Sequence, residues 1–261
     1  MTIEQPDLDD LRVAKSLLEN PSVAARLTDL LGTPIEKGFE LLPKNWNMKV
    51  GEITQAALSK AVNAAIFTMS DAPGEGGSNV WHKLAVITTG GIGGLFGLPA
   101  LAVELPISTM IMLRSIADIA RHEGEAIKSA ESKMACLEVF ALGGPNRGDD
   151  ASEYGYFAIR TALSRQITKA VEYVVEKGFA QKGAPPLVRL IALIAERFSI
   201  QVSEKAAAQV LPLIGAAGGA LINTLFIDHF QNVARGHFTV RRLERKYGQE
   251  IVKREYENIR I

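Results

Sequence analysis

Apolar residues recur at helical spacing along most of the chain. The segment DLDDLRVAKSLLE, residues 7–19, has apolar positions at the three- and four-residue intervals that place them on one face of a helix. No stretch alternates β-branched and polar residues between hairpin turns, which is the pattern of strands. The sequence therefore predicts an all-α fold, with about ten helices in a single compact domain.

Proline, glycine and asparagine mark the predicted helix boundaries. Asn20-Pro21 and Thr33-Pro34 each predict an N-cap followed by the first residue of a helix. The segments DAPGEGGS (71–78) and GGPNRGDD (143–150) predict loops. Between these signals the sequence predicts helices over residues 48–70, 104–123, 131–142, 151–177, 186–198, 203–211 and 212–235, and from residue 239 onward.

Two long runs carry no charge, residues 84–103 and 206–227. Each is long enough to cross the ~30 Å hydrocarbon layer of a bilayer. Pro99 and Pro212 stand inside these runs, so each run is predicted to form two short helices at an angle, an apolar hairpin broken by glycine and proline. Three interpretations stay open: spanning a bilayer, re-entrant or peripheral insertion, and a buried core.

The helix predicted over residues 104–123 is apolar except for a narrow polar stripe. A helix exposed to water normally has a broader polar face, so this one is expected to be largely buried, in protein or in lipid. Arg114 and Asp118 are four residues apart and can pair. The residues that lie within a narrow arc of this helix are Glu104, Ser108, Ser115, Asp118 and His122.

A second stripe follows the other apolar run. Thr224, Asp228, Gln231 and Arg235 share one helix face, and Asn223 is on the far side. Because buried charges need partners, we expect the two stripes to face each other across a helix–helix interface. They either fix the packing or form a polar patch in an apolar cavity for a head group or substrate. On the second interpretation the candidate ligand-binding residues are Glu104, Ser108, Arg114, Asp118, His122, Asn223, Asp228 and Arg235.

Composition narrows the classes of partner. Of the 261 residues, 47% are hydrophobic, and the mean hydropathy of +0.09 is far below that of a multi-spanning membrane protein. The 29 basic and 29 acidic residues balance, which argues against nucleic acid as a partner. Residues 234–261 contain eight bases and four acids, so the C-terminal end is expected to add contacts with anionic lipid. The first residues, MTIEQPDLDD, do not form a secretory signal, which predicts a cytoplasmic location.

The sequence assigns no catalytic residue, metal or cofactor. Cys136, the single cysteine, lies in an apolar helical pattern and is expected to be a buried, inert thiol. Asp118 and His122 are spaced like half of a helix-borne metal site, but HExxH, GxSxG and phosphate-loop motifs are absent. An enzyme that uses Glu104, Asp118 or His122 as acid or base stays an alternative to a binding protein.

Two segments resemble the EcsC protein family. LPISTMIMLRSIADIARHEGE, residues 105–125, is similar to the family's central motif, in which an acidic residue precedes Leu-Pro and an arginine-bearing helix follows. LPLIGAAGGALINTLFIDHFQNVARGHFTVRRLERKYG, residues 211–248, resembles its C-terminal pattern. His122-Glu123 stands where the family usually has a tyrosine before glycine. The resemblance begins near residue 48, so it divides the chain into a short helical N-terminal extension, 1–45, and an EcsC-like all-α domain, 46–261.

The resemblance implies a bacterial accessory protein that associates with a membrane. The family has no established catalytic residues, and Glu104, Arg114, Asn223 and Arg235 match polar points in its apolar helices. The expected partner is a membrane lipid or a hydrophobic small molecule. The protein itself is expected to lie peripherally on the inner face of the cell membrane. The alternative is a module that docks on a membrane protein complex such as an ABC transporter.

Overall fold

A computed structural model describes residues 3–19, 23–68, 98–143, 155–178, 184–211 and 216–260. This part of the chain forms ten helices and contains no strand, which confirms the all-α prediction. The helices are α1 Gln5–Leu18, α2 Val23–Leu31, α3 Glu36–Leu41, α4 Trp46–Thr68, α5 Leu98–His122, α6 Ala130–Leu142, α7 Tyr156–Lys177, α8 Pro185–Gln209, α9 Ala216–Tyr247 and α10 Gln249–Asn258.

The centre of the fold is α6. Every side chain from Met134 to Leu142 is buried, because α5, α7, α8 and α9 all pack against this helix. Its Phe140 ring lies 4.9 Å from that of Phe198 and 5.5 Å from that of Phe230. Cys136 is fully buried here, and burial raises the pKa of its thiol to about 12, which confirms an inert cysteine.

The two apolar runs are described only in part. Pro99 lies in the first turn of α5, where a residue without an N–H group costs no helical hydrogen bond. The preceding residues 69–97 and the segment 212–215, which contains Pro212, lie outside the described residues. The predicted break of each run into two angled helices therefore falls mainly on residues that the structure does not describe.

Four predicted boundaries were wrong. Helix α5 includes Leu98, six residues before the predicted start at Glu104. Helix α8 is continuous through residues 199–202, because nothing in that stretch interrupts a helix and Gln201 and Val202 continue its buried face. Helix α9 is continuous from Ala216 through Gly236 to Tyr247, and Gly248, with φ +89°, ends it. Helix α3 begins at Glu36, two residues later than Thr33-Pro34 predicts. The Asn20-Pro21 boundary lies outside the described residues.

The first helices share the core of the rest of the chain. Helix α1 lies along α9, and α2 and α3 pack on α8. At Gly236 a β-carbon would lie 2.8 Å from the backbone oxygen of Ala14, so glycine allows α1 and α9 to approach closely. The buried side chains of Leu11, Leu27 and Ile35 belong to the same hydrophobic core as α6.

Candidate functional site

Four polar side chains meet inside the fold where α5, α8 and α9 converge. Lys205 is completely buried, and its Nζ lies 2.5 Å from Oε1 of Glu104. The amide of Gln209 donates a hydrogen bond of 3.1 Å to the other carboxylate oxygen. Asn223 lies beside the carboxylate and helps to lower its pKa. We call Glu104, Lys205, Gln209 and Asn223 the polar cluster.

Helix register brings these side chains together. Lys205 and Gln209 are four residues apart, so they project from the same face of α8. Glu104 is six residues after Leu98 in α5 and Asn223 is seven residues after Ala216 in α9, so each helix contributes a polar residue near the start of its described part. The cluster therefore lies near Leu98 and Ala216, where the described parts of α5 and α9 begin.

The polar cluster is electrically neutral. Burial alone would raise the pKa of Glu104, but the charge and hydrogen bond of Lys205, together with Gln209 and Asn223, outweigh it and lower that pKa. The ammonium group of Lys205 also lies 4.8 Å from the centre of the Phe226 ring, a cation–π contact. Glu104 is thus a carboxylate at neutral pH, in an ion pair with Lys205.

Several buried polar atoms next to the cluster have no hydrogen-bond partner among the described residues. They include Oδ1 of Asn223 and both amide atoms of Gln201, which is one helical turn before Lys205. Buried amides are almost always satisfied, and leaving one unpaired costs about 1–3 kcal/mol. These atoms give the site unused capacity to accept and donate hydrogen bonds.

The two polar stripes predicted from the sequence meet only in part. Asn223 contacts Glu104, and further along the interface Gln231 donates a hydrogen bond of 2.8 Å to the hydroxyl of Ser115. The inward face of α9 was assigned wrongly, however. Asn223 points inward, whereas Thr224 and Arg235 are exposed and Asp228 is half-buried.

The other candidate residues do not join the polar cluster. The buried hydroxyl of Ser108 donates to the backbone oxygen of Leu105. Asp118 is exposed and pairs with Arg121 at 2.6 Å, so the predicted pair with Arg114, which is half-buried, does not form. Nδ1 of His122 lies 2.7 Å from the backbone oxygen of Asp118.

The residues considered as acids, bases or metal ligands lie apart in the structure. Asp118 lies fourteen residues beyond Glu104 on the same helix, about 21 Å along its axis, so the two cannot act on one group. His229, next to Asp228, is buried with Nε2 2.7 Å from the backbone oxygen of Gly143, and burial lowers its pKa to about 4. Arg235 donates to Asn232 at the surface. The described ranges contain no group of three or more acidic, histidine or cysteine residues that could hold a metal ion.

The sequence analysis missed Lys205, Gln209 and Gln201. Lysine and glutamine are normally surface residues, so an isolated Lys205 before three alanines reads as an exposed position. The available signal was the four-residue spacing of the three side chains, which places them on one face of an otherwise apolar helix. Only the tertiary packing shows that this face is the buried one.

The basic residues near the C-terminal end are engaged within the protein. Arg241 and Arg245 both bind the carboxylate of Glu125, the first at 2.8 Å. Arg242 pairs with Asp10 at 2.7 Å. Lys246 pairs with Asp7, also at 2.7 Å. Four of the bases expected to contact anionic lipid are therefore already matched by carboxylates.

One helix in the described part of the chain is long and apolar enough to cross a membrane. It is α5, Leu98–His122, whose most apolar window has a mean hydropathy of 1.5. Because 56% of that window is buried inside the fold, the core helix of a soluble protein would pass the same test.

The described residues form an all-helical protein in which a buried polar cluster, built around an ion pair, joins three long helices. Residues 22–243 match the model of the EcsC protein family, and the chain belongs to that family. The match begins at residue 22, so it includes α2 and α3, which the sequence analysis had placed in the N-terminal extension. Comparison with curated proteins gave no significant match. Comparison with solved structures also gave none.

Proposed function

We propose that this EcsC-family protein associates peripherally with a membrane and binds the head group of a lipid, or of another hydrophobic ligand, at the polar cluster. The observation that carries the proposal is the set of unpartnered buried amide atoms of Asn223 and Gln201 beside the Glu104–Lys205 pair. A ligand that supplies hydrogen bonds to these atoms would remove the cost of leaving them unpaired.

The charge of the cluster favours a neutral head group. Glu104 and Lys205 already neutralise each other, so a charged head group would enter a buried site without a counter-ion, at a cost of several kcal/mol. A neutral head group with hydroxyls avoids this cost. A hydroxyl can donate to Oδ1 of Asn223 and can both donate to and accept from the amide of Gln201. Glycerol-type head groups have this chemistry.

The position of the cluster favours contact with acyl chains. Glu104 is about 9 Å along the helix from Leu98, and Asn223 is at a similar distance from Ala216. Beside them on the outer surface are two exposed apolar side chains, Val103, 51% exposed, and Leu221, 44% exposed. Apolar chains that extend from a head group at the cluster would meet apolar residues at this end of the molecule.

Native mass spectrometry with lipid extraction tests the proposal on protein purified without detergent. We expect a co-purifying neutral lipid in the wild type and loss of that lipid in Asn223→Leu. The variant removes an unpaired buried acceptor but also a polar neighbour of Glu104, so its circular-dichroism spectrum is compared with that of the wild type before lipid occupancy is measured. Asn232→Leu, on the outer side of the same helix, is the matched control and should keep the lipid.

Two outcomes would count against lipid binding. One is a wild-type protein that carries no lipid and takes none up from added monoacylglycerol. The other is equal lipid occupancy in Asn223→Leu and the wild type. Either result would move the search to the alternative function, docking on a membrane protein complex, for which cross-linking in cells is the direct test.

A further inference from the structure

A second site lies on another side of the molecule, where α7, α9 and α10 enclose a cleft of about 340 Å³. Glu138 of α6 contributes to its floor, and its side chain is 5% exposed. Arg160 and Glu244 lie beside it, and the hydroxyl-bearing residues Thr161, Ser164 and Thr168 form one wall. This site is independent of the proposed lipid-binding function.

Beneath the floor is a chain of three buried polar side chains. Oη of Tyr156 lies 2.9 Å from Nδ1 of His237. Nε2 of His237 lies 3.7 Å from Oε2 of Glu138, beyond hydrogen-bonding distance, and has no hydrogen-bond partner among the described residues. The imidazole thus holds its position through Tyr156 and, within the described part of the chain, does not donate a hydrogen bond to the Glu138 carboxyl.

The arginines that line the cleft are already paired with other carboxylates. Arg160 binds Glu244 through two hydrogen bonds of 2.6 and 3.0 Å. Arg241 binds Glu125 in the same bidentate way, at 2.8 and 3.2 Å. Among the described residues that line the cleft, Glu138 is therefore a buried carboxyl whose neighbouring arginines form their ion pairs with other carboxylates.

The wall presents hydrogen-bond acceptors. The hydroxyls of Thr161, Ser164 and Thr168 each donate to a backbone oxygen within α7, so their remaining capacity is to accept. Phe157 adds an aromatic ring to the same lining. A buried carboxyl beside arginines that pair elsewhere, acceptor hydroxyls and an aromatic ring together suit a ligand that carries a positive charge and several N–H donors.

We propose that this cleft binds a small ligand that carries a protonated amino group, with Glu138 as the counter-ion. The ammonium donates to the Glu138 carboxylate and to hydroxyl oxygens of α7. The carbon skeleton of the ligand packs against Phe157 and Ile167. No residue of the polar cluster takes part.

Protonation of Glu138 makes this binding depend on pH. The groups beside Glu138 are Tyr156 and Arg160 of α7 and His237, Arg241 and Glu244 of α9. Glu250 and Lys253 of α10 line the same cleft. Burial raises the pKa of Glu138 to about 7, although Arg160 and Arg241 act in the opposite direction. Burial and the same two arginines hold the pKa of His237 well below its usual value, so His237 stays neutral. Between pH 6 and pH 8 the ionised fraction of Glu138 rises about tenfold.

Saturation-transfer difference NMR on the full chain tests the proposal with three small probes of similar shape. Phenethylamine is the cationic probe, 2-phenylethanol the neutral one and 3-phenylpropionate the anionic one. In the wild type at pH 8 we expect phenethylamine to bind at least tenfold more tightly than the other two, and about tenfold more tightly than at pH 6. Glu138→Gln should abolish this preference, whereas Glu131→Gln, an exposed change on the same helix, should keep it.

Four results would overturn the proposal. They are equal affinity for the amine and the alcohol, tighter binding of the carboxylate, no binding of phenethylamine, or an unchanged preference in Glu138→Gln. If Glu138→Gln does not give a native circular-dichroism spectrum, the pH dependence of phenethylamine binding to the wild type tests the proposal by itself. Affinity for phenethylamine that fails to rise between pH 6 and pH 8 then overturns the proposal.

Discussion

Asp7 and Tyr247 are 240 residues apart in the sequence and share a hydrogen bond of 2.7 Å, donated by the tyrosine hydroxyl. Lys246 binds the same carboxylate oxygen of Asp7 at 2.7 Å. The bonds fasten α1, which precedes the region that matches the family, to the end of α9. The acidic N-terminal and basic C-terminal residues thus bind each other.

Asp7→Asn should weaken this connection. We expect the free energy of unfolding at pH 7 to fall by about 1 kcal/mol, a small value because much of the pair is near solvent. Hydrogen bonds from Lys246 and Tyr247 lower the pKa of Asp7. Its contribution is therefore fully present above the unfolded carboxyl pKa of about 3.9 and is lost as the pH falls through the lower folded value.

Urea unfolding of Asp7→Asn and the wild type at pH 7 and pH 2.5 measures this difference. Asp9→Asn is the matched control, because Asp9 is exposed and pairs only within α1, with Arg12. A loss of stability in Asp7→Asn that is equal at both pH values would show that the charge of Asp7 has no part in fastening α1.

The sequence predicted the helical class and the buried character of α5 and Cys136 because helical periodicity and long apolar runs are local features. It could not predict that α9 continues past Gly236. That glycine is a common helix-ending residue, and only the close approach of α1 explains it within a helix.

The polar cluster was half predicted for a related reason. Glu104 was a candidate because it lies in the polar stripe of its helix, and both Glu104 and Asn223 match polar points in the apolar helices of the family. Their partner Lys205 lies on a third helix, and no pattern in the sequence relates the registers of α5, α8 and α9. The basic C-terminal residues were expected to contact anionic lipid. Their carboxylate partners are distant in the sequence, so no local pattern showed that these bases pair within the protein.

The Glu104–Lys205 pair yields a prediction about buried charge. Lys205→Met leaves Glu104 without its cation, and we expect a loss of about 3–5 kcal/mol in the free energy of unfolding at pH 7. The double variant Glu104→Leu with Lys205→Met should recover most of this loss, because it buries no charge. Lys253→Met, at an exposed position, is the control and should change stability by less than about 0.5 kcal/mol.

Lys205→Met should also reverse the pH dependence of the stability contributed by Glu104. In the wild type the pKa of Glu104 is lowered, so its contribution is present above the unfolded carboxyl pKa and is lost at acid pH. Without Lys205 the effect of burial dominates and raises the pKa of Glu104. Lys205→Met should therefore gain stability relative to the wild type as the pH falls below neutral. Parallel pH profiles for the two proteins would contradict the assigned role of Lys205.

Membrane association should depend on the apolar end of the molecule. Val103→Asp and Leu221→Asp each place a charge beside the polar cluster on its outer surface. We expect each to lower the fraction that co-sediments with phosphatidylcholine vesicles about tenfold, since burial of one such side chain in lipid contributes roughly 1.5 kcal/mol. Salt should have little effect, because many of the basic residues are paired internally.

Val175→Asp is the matched control for this measurement. Val175 is 72% exposed and lies near the end of α7, on a helix that contributes nothing to the polar cluster. It should sediment like the wild type. An equal loss of binding in Val175→Asp, or no loss in the other two variants, would contradict the assignment of the membrane-facing end.

Gly236 allows a last prediction about how α1 is held on α9. A β-carbon at this position would lie 2.7 Å from Cγ of Leu18 and 2.8 Å from the backbone oxygen of Ala14. Leu18 can shift, but the backbone of α1 can move only if the helix moves. Gly236→Ala should therefore lower the free energy of unfolding by about 1–3 kcal/mol, and hydrogen exchange in α1 should accelerate.

Gly219→Ala separates this steric effect from the helix propensity of alanine. Gly219 lies in the same helix, and a β-carbon there meets nothing within 4 Å. Alanine should therefore raise stability by about 0.5–1 kcal/mol through propensity alone. The opposite signs of the two changes are the expected result. If both substitutions stabilise the protein, α1 does not approach α9 as closely as the structure places it.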